Sequence, residues 1–160
     1  MPALYERFNS LGEMLRDSAG RLKDKTAVIF QQASFSYTQI ESFSNQISCF
    51  LRKKGIGKDD NIGLYCINSP WFVASYFGVL KTGATVVPIN LLLSPEEIQF
   101  ILSDSEAKGL IYFEEFEKTV EQIKNSLPRV RFLITAGKPG IPQSTPLAEI
   151  LKKEPAECEI

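Results

Sequence analysis

Polar side chains follow three stretches that are predicted to be β-strands, and they could bind a ligand or transfer a proton. Asn68 and Ser69 follow the first stretch, Asn90 the second, and Glu114 and Glu115 the third. Open α/β sheets bind ligands beyond the carboxyl ends of their strands. Ser69 also precedes a predicted helix, whose unpaired N–H groups attract anions. These five residues are the candidate ligand-binding residues.

Structural roles are favoured over chemistry at the same positions. Ser69, like Thr38 and Ser94, stands where a helix N-cap is expected. The acidic residues at 114–117 suit the positive end of a helix, so catalysis by this cluster is not expected. Trp71 is expected in a core rather than in an acyl pocket. The residue types alone therefore assign no catalytic, cofactor-binding or metal-binding role to any position.

Two glycine and aspartate patterns resemble known sites but fail on their context. Gly55-Ile56-Gly57 starts like a dinucleotide loop, yet Asp60 occupies the third glycine position, so we interpret the pattern as a helix end. Asp59 and Asp60 form an acidic pair that precedes a strand. A solvated turn is therefore favoured over a metal or phosphoacceptor site.

The composition excludes several function classes. The sequence has no histidine, which removes Ser-His and Cys-His nucleophile pairs and histidine metal sites. Its net charge of −1 argues against nucleic acid binding. Cys49, Cys66 and Cys158 lack the spacing of a zinc site or a disulfide framework, so we expect reduced thiols in the cytoplasm. No stretch is suited to a transmembrane helix.

Helix and strand signals alternate along a chain that fits a single domain, 1–160, with its core at about 8–135 and a loop and short helix at 136–160. A first helix is expected from about Ser10 to near Gly20, followed by a hairpin at 27–30 and 34–37. A capping box at Thr38 and Glu41 predicts the start of a longer helix that ends at Gly55.

The second part predicts a mostly parallel sheet. Candidate strands lie at 62–67, 85–89, 109–113 and 130–135, separated by helices that begin at Ser69 and Ser94 and by one that carries Phe116 and Val120. Regular alternation of strands and helices implies right-handed crossovers. The expected class is therefore α/β, with helices on both faces of the sheet and a helix and hairpin before it.

Three segments together resemble a known enzyme family. Segment 35–40, Phe-Ser-Tyr-Thr-Gln-Ile, with the helix and Gly-Ile-Gly-Lys-Asp-Asp-Asn-Ile turn that follow, resembles the start of AMP-forming acyl-CoA synthetases. Segment 80–90, Leu-Lys-Thr-Gly-Ala-Thr-Val-Val-Pro-Ile-Asn, is similar to their second conserved element, in which we treat Gly83 and Pro88 as structural. Segment 91–108 looks most like the long-chain fatty acid branch.

The resemblance implies a two-step ligase. A carboxylate attacks the α-phosphate of ATP, with magnesium, to give acyl-AMP and pyrophosphate, and CoA then takes the acyl group as a thioester. The family's phosphate loop, adenine segment, ribose-binding aspartate and catalytic lysine have no counterparts among the 160 residues. Gly137-Lys138-Pro139-Gly140 has lysine and proline in the wrong order for the phosphate loop, so no catalytic residue is carried over.

We therefore expect the N-terminal part of a synthetase, inactive by itself, whose partner is the missing C-terminal part. ATP, magnesium and CoA belong to the full-length enzyme, which is expected in the cytoplasm or at the surface of a membrane. The alternative is a stand-alone binding or oligomerisation module, a homodimer through exposed apolar surface. A flavodoxin-like or receiver-type domain is disfavoured because no flavin phosphate loop or strand-end aspartate is present.

Overall fold

A helix and a β-hairpin precede an open parallel sheet in the computed structural model, which describes residues 8–157. The helices are α1 (Leu11–Leu22), α2 (Tyr37–Lys53), α3 (Pro70–Leu80), α4 (Pro95–Asp104), α5 (Glu117–Ile123) and α6 (Leu147–Lys153). The strands are β1 (Thr26–Phe30), β2 (Ala33–Ser36), β3 (Asn61–Tyr65), β4 (Thr85–Pro88), β5 (Gly109–Phe113), β6 (Leu133–Ala136) and β7 (Ser144–Pro146). Single 3-10 turns flank α5.

All five strands of the sheet are parallel, in the order β4-β3-β5-β6-β7, and β1 and β2 form an antiparallel hairpin. The register places Ile62 opposite Val86 on one side and Gly109 on the other. The predicted α/β class, hairpin and parallel crossovers are thereby confirmed.

Helices cover both faces of the sheet because successive side chains of a strand point to opposite faces. Ile111 packs in one core with residues of α2, α3 and α6, whereas its neighbours Leu110 and Tyr112 pack in a second core with residues of α4 and α5. α3 is apolar nearly all round, and none of its residues is exposed. The strands β3, β5 and β6 are therefore buried between two layers.

The first two helices differ in detail from the sequence prediction. α1 begins after Ser10, whose hydroxyl accepts the N–H of Glu13, but it continues past Gly20 to Leu22. α2 is capped by Ser36 and not by Thr38, so the predicted capping box is wrong. Ser36 is extended at the end of β2 and can accept the N–H of Gln39, whose side chain accepts the N–H of Ser36.

The predicted caps of the next helices are confirmed. Ser69 caps α3 with Pro70 at its first position, and Ser94 caps α4 in a reciprocal capping box with Glu97. Gly55 ends the second helix region with φ +75°, a left-handed conformation that favours glycine. Ile56 packs beneath it in the core.

β7 is a strand that the sequence does not predict, because 136–146 reads as a proline- and glycine-rich loop. Ser144 to Pro146 pair with β6 instead, and α6 follows directly where a short helix is expected. The ends of other strands shift by a few residues, as for β3 and β6. Leu147 and Ile150 of α6 complete the core on the side of α2 and α3.

The described cysteines differ in whether they form a disulfide bond. Cys49 is disulfide-bonded, so the expectation of a reduced thiol is wrong at this position. Cys66 is free and buried, and burial raises the pKa of its thiol to about 11. Cys158 lies outside the described residues. Among residues 8–157, no helix is both long and apolar enough to cross a bilayer.

Candidate functional site

The carboxyl ends of β3, β5 and β6 meet at one edge of the sheet, beside a cleft of about 360 Å³. This edge is where open α/β sheets bind ligands. The lining is mostly apolar and comes from the start of α3, the ends of β5 and β6, and α6; it comprises Trp71, Glu114, Ala136, Gly137, Lys138, Leu147, Ala148 and Leu151. Of the five candidate residues, Glu114 lines this cleft, and Glu114 and Glu115 both line a second, more polar cleft beside α5.

Two glutamates fasten the loop that follows β6. Glu114 Oε2 accepts the N–H of Lys138 at 2.6 Å. Glu117 Oε1 accepts the N–H of Gly140 at 2.6 Å and also that of Ile141. Hydrogen bonds from backbone N–H groups hold a carboxylate in a fixed position. Both side chains therefore hold the loop in place.

Gly137 lets the loop approach Glu114 closely. A Cβ atom at this glycine would lie 2.5 Å from the carboxyl carbon of Glu114, and the φ of +136° also disfavours other residues. The Gly-Lys-Pro-Gly segment therefore directs its N–H groups at side chains of its own chain.

The remaining candidates with recorded hydrogen bonds make local contacts. Ser69 is buried, and its hydroxyl accepts the N–H of Phe72 at 3.2 Å, which is the expected cap. The side-chain oxygen of Asn90 accepts the N–H of Leu92 at 3.0 Å and closes a turn after β4. Asn68 and Glu115 are exposed. The structure does not gather these four residues into a site.

Trp71 belongs to the core and also forms one wall of the cleft. Its ring centroid lies 5.8 Å from those of Phe35 in β2 and Phe43 in α2. Aromatic pairs at this distance stabilise packing beyond the area that they bury. The prediction of a core role is supported by these contacts, and the cleft leaves the ring partly accessible.

A buried ion pair is the main polar feature that sequence analysis missed. Lys81 Nζ lies 2.6 Å from Glu41 Oε2 and 2.6 Å from the side-chain oxygen of Asn45. The Lys81 side chain is 1% exposed, and burial lowers its pKa while the Glu41 carboxylate opposes the shift. The spacing of Glu41 and Asn45 on one face of a helix is the only signal in the sequence. A cleft of about 670 Å³, lined in part by Arg16 and Ser42, adjoins the pair.

The described residues do not fit ATP and magnesium. Within 8–157 there is no group of three or more acidic or cysteine side chains that could hold a metal ion. The loop amides nearest to a phosphate-binding arrangement are those of Lys138, Gly140 and Ile141, and they already donate to carboxylates. Phosphate would meet two negative charges there.

An N-terminal helix and hairpin, a five-stranded parallel sheet and an apolar cleft at the carboxyl edge of the sheet make up the described fold. Comparison with known proteins identifies the family. The model of the AMP-binding enzyme family matches residues 15–158, so the chain belongs to this family.

Curated relatives include enzymes with different substrates. A crotonobetaine/carnitine–CoA ligase of Salmonella arizonae is 37% identical over 119 residues, which are 71% of this chain and 23% of that protein. Bacitracin synthase 1 of Bacillus licheniformis is 32% identical over 107 residues, 67% of this chain and 2% of that protein. The chain thus spans less than a quarter of the length of these relatives.

Solved structures share the fold. An anthranilate CoA ligase in complex with anthranoyl-AMP superposes with a TM-score of 0.90 at 27% identity, over 95% of this chain and 29% of that chain. A fatty acyl CoA synthetase of Mycobacterium tuberculosis superposes with a TM-score of 0.82 at 30% identity, over 92% of this chain and 29% of that chain.

Proposed function

We propose that this chain is the N-terminal portion of an AMP-forming ligase that joins a long-chain fatty acid to CoA. The observation that carries the proposal is the family match over residues 15–158. Similarity to a fatty acyl CoA synthetase and the resemblance of segment 91–108 to that branch support the choice of acid. ATP, magnesium and CoA would be bound by residues outside 8–157.

We further propose that the 160 residues are a single domain without activity of their own. Two features support this proposal. The candidate anion-binding amides after β6 are taken by Glu114 and Glu117, and the buried amine of Lys81 is taken by Glu41 and Asn45. Transfer of an adenylyl group needs free donors and a cation around the phosphates. No catalytic, cofactor-binding or metal-binding residue is proposed in this chain.

The test is exchange of pyrophosphate into ATP, which reports formation of an acyl adenylate. The purified 160-residue chain is expected to show no exchange with palmitate, and exchange above the protein-free control would refute the proposed inactivity. The species captured from the source cell with an antibody against this chain is assayed in parallel after its intact mass is measured. We expect a larger, cytoplasmic species that exchanges with palmitate.

A panel of acids tests which substrate the captured species prefers. The panel contains palmitate, crotonobetaine, anthranilate and mixed amino acids. Exchange that is highest with palmitate supports the fatty acid. Exchange that is highest with another acid would support the ligase activity with a different substrate. A captured species of 17.9 kDa that exchanges with none of the acids would favour the alternative below.

Exposed apolar side chains favour a second candidate, a stand-alone module that self-associates. Leu92, in the loop after β4, is 93% exposed, and Phe100 of α4 is 68% exposed. Large exposed apolar groups often mark association surfaces. Light scattering of the purified chain should then give a dimer that L92S and F100S each weaken. Exposed Glu96 offers a matched control, since E96S leaves the apolar surface intact.

A further inference from the structure

A strap of four residues, 154–157, follows α6 and lies against α2. The amide of Asn45 donates to the carbonyl of Ala156 at 2.8 Å, and the amide of Gln46 donates to the carbonyl of Glu154 at 3.0 Å. Asn45 and Gln46 are buried, whereas Ala156 is exposed. The strap therefore covers two polar side chains of the helix and leaves its other side in solvent.

An ion pair attaches the strap to α2 a second time. Lys53 Nζ lies 2.7 Å from the carboxylate of Glu154. The lysine side chain is 65% exposed, so the pair stabilises the strap only modestly. A short segment held by contacts of this kind opens at a lower free energy than the core strands.

The other end of the Asn45 amide contacts the buried ion pair. Its side-chain oxygen accepts from Lys81 Nζ at 2.6 Å, and Lys81 Nζ also lies 2.6 Å from Glu41 Oε2. The reverse orientation of the amide would set its NH2 group against the ammonium and its oxygen against the carbonyl of Ala156. Since one orientation satisfies both neighbours, the strap and the ion pair fix the same side chain.

The strap also forms part of the wall of the cleft of about 670 Å³. Ala156 and Glu157 line this cleft together with Glu41 and Asn45, the two partners of Lys81. The side chain of Lys81 itself is 1% exposed. Displacing the strap removes part of the cleft wall and the acceptor of the Asn45 amide together, which opens a path from solvent to the amine.

We propose that the strap at 154–157 is a gate that closes solvent access to the buried pair of Lys81 and Glu41, with Asn45 joining the gate to the pair. In the closed state, the carbonyl of Ala156 holds the Asn45 amide and the amine is shielded. In the open state, water reaches the amine while the sheet stays folded. Lys81 ends α3 and Glu41 belongs to α2, so opening the gate also weakens a link between these helices.

Chemical labelling of lysine measures the open state in the wild-type chain. The full chain receives a short pulse of the N-hydroxysuccinimide ester of acetic acid, and acetylation of Lys81 is quantified by peptide mass spectrometry. We expect a slow labelling rate that changes little at low urea concentrations, because a local opening exposes little surface. A rate that rises with urea as steeply as global unfolding, or no labelling before the chain unfolds, would overturn the proposal.

Variants that loosen the strap should speed this labelling. Lys53→Ala removes the ion pair of the strap and should raise the Lys81 labelling rate about threefold. Gln46→Ala removes hydrogen bonds to the strap and to the end of α6, so we expect about a tenfold rise. The matched control Lys153→Ala breaks an exposed ion pair within α6 and should leave the rate unchanged.

Hydrogen exchange distinguishes gating from a loosening that does not reach the pair. The amide of Glu154 donates to the carbonyl of Ile150 at 3.0 Å and reports how firmly the start of the strap is held. In K53A and Q46A this amide should exchange faster, while the amides of β5 exchange as in the wild-type chain. Faster exchange of Glu154 with an unchanged labelling rate of Lys81 would show that the strap is not a gate. Because Lys53 is exposed, K53A keeps this test available if Q46A does not fold.

Discussion

Removing the carboxylate of Glu41 should destabilise the fold strongly, because it leaves the ammonium of Lys81 buried without a counter-charge. The Lys81 side chain is 1% exposed and that of Glu41 is 13% exposed, with 2.6 Å between the charged atoms. Breaking one partner of a buried ion pair costs about 3–5 kcal/mol. Asn45 still accepts from Lys81 at 2.6 Å, so we expect the lower end, about 3 kcal/mol for Glu41→Gln.

Urea denaturation measures this change directly. With a slope of about 2 kcal/mol per molar urea, the midpoint of E41Q should fall by roughly 1.5 M. The exposed ion pair of Glu149 and Lys153 is the matched control, and E149Q should cost below about 1 kcal/mol. Both changes replace a helical glutamate by glutamine, so the difference between them reports burial.

The double variant E41Q/K81M decides whether the unpaired charge is the cause. Removing the amine as well removes the buried charge, so the double variant should be more stable than the sum of the single changes predicts. Additivity within about 0.5 kcal/mol would refute the reasoning.

A pH series gives an independent check. Since burial lowers the pKa of Lys81 below 10.5, the unfolded chain binds more protons than the folded chain. Stability of E41Q should therefore rise as pH increases toward 10.5, and that of the double variant should lack this rise.

Three further changes test local claims by urea denaturation. Gly137→Ala should cost about 1–3 kcal/mol because its φ is +136° and its Cβ would contact a carboxylate, whereas Gly20→Ala, in open helical surroundings, should stabilise by up to about 1 kcal/mol. Ser36→Ala should cost about 1 kcal/mol and Thr38→Ala much less; equal losses would contradict the assignment of the cap to Ser36. A hydrogen bond from Lys108 holds the pKa of Asp60 below 3.8, so its stabilising effect is lost as pH falls below 3.8, and Asp60→Asn should reduce the acid dependence of stability; an unchanged acid limb would refute this.

Local signals allowed most of the fold to be predicted. Helices α3 and α4 begin directly after Ser69 and Ser94, because a capping hydroxyl followed by proline is a signal contained within one helical turn. The core strand β5 is predicted at its observed ends, since a continuous apolar run of only five residues between turn signals is typical of a buried strand. Features that depend on a few adjacent residues are therefore accessible from one sequence.

Pairing between distant segments explains what the sequence did not show. Two capping boxes are possible at the start of α2, Ser36 with Gln39 and Thr38 with Glu41. The helix uses Ser36, which is the last residue of the hairpin strand β2. β7 is only three residues long, and it is a strand because it pairs in parallel with β6. Lys81 and Glu41 are 40 positions apart, so no spacing rule brings them together. The candidate site depends on such contacts, which is why it was the least predictable part.

The carboxyl edge of the sheet is the reason why we propose no adenylate-forming activity for this chain by itself. Donors at this edge attract anions, but here the loop amides of Lys138 and Gly140 already bind Glu114 and Glu117. A phosphate would have to displace carboxylates that are covalently part of the same lobe and therefore present at high effective concentration. What stays open beside Trp71 is apolar surface, which can bury hydrocarbon but cannot stabilise the charge that develops on a transferred adenylyl group. In the proposed ligase, the donors and the cation that stabilise this charge are expected outside residues 8–157, and this sheet would be the support against which they are positioned.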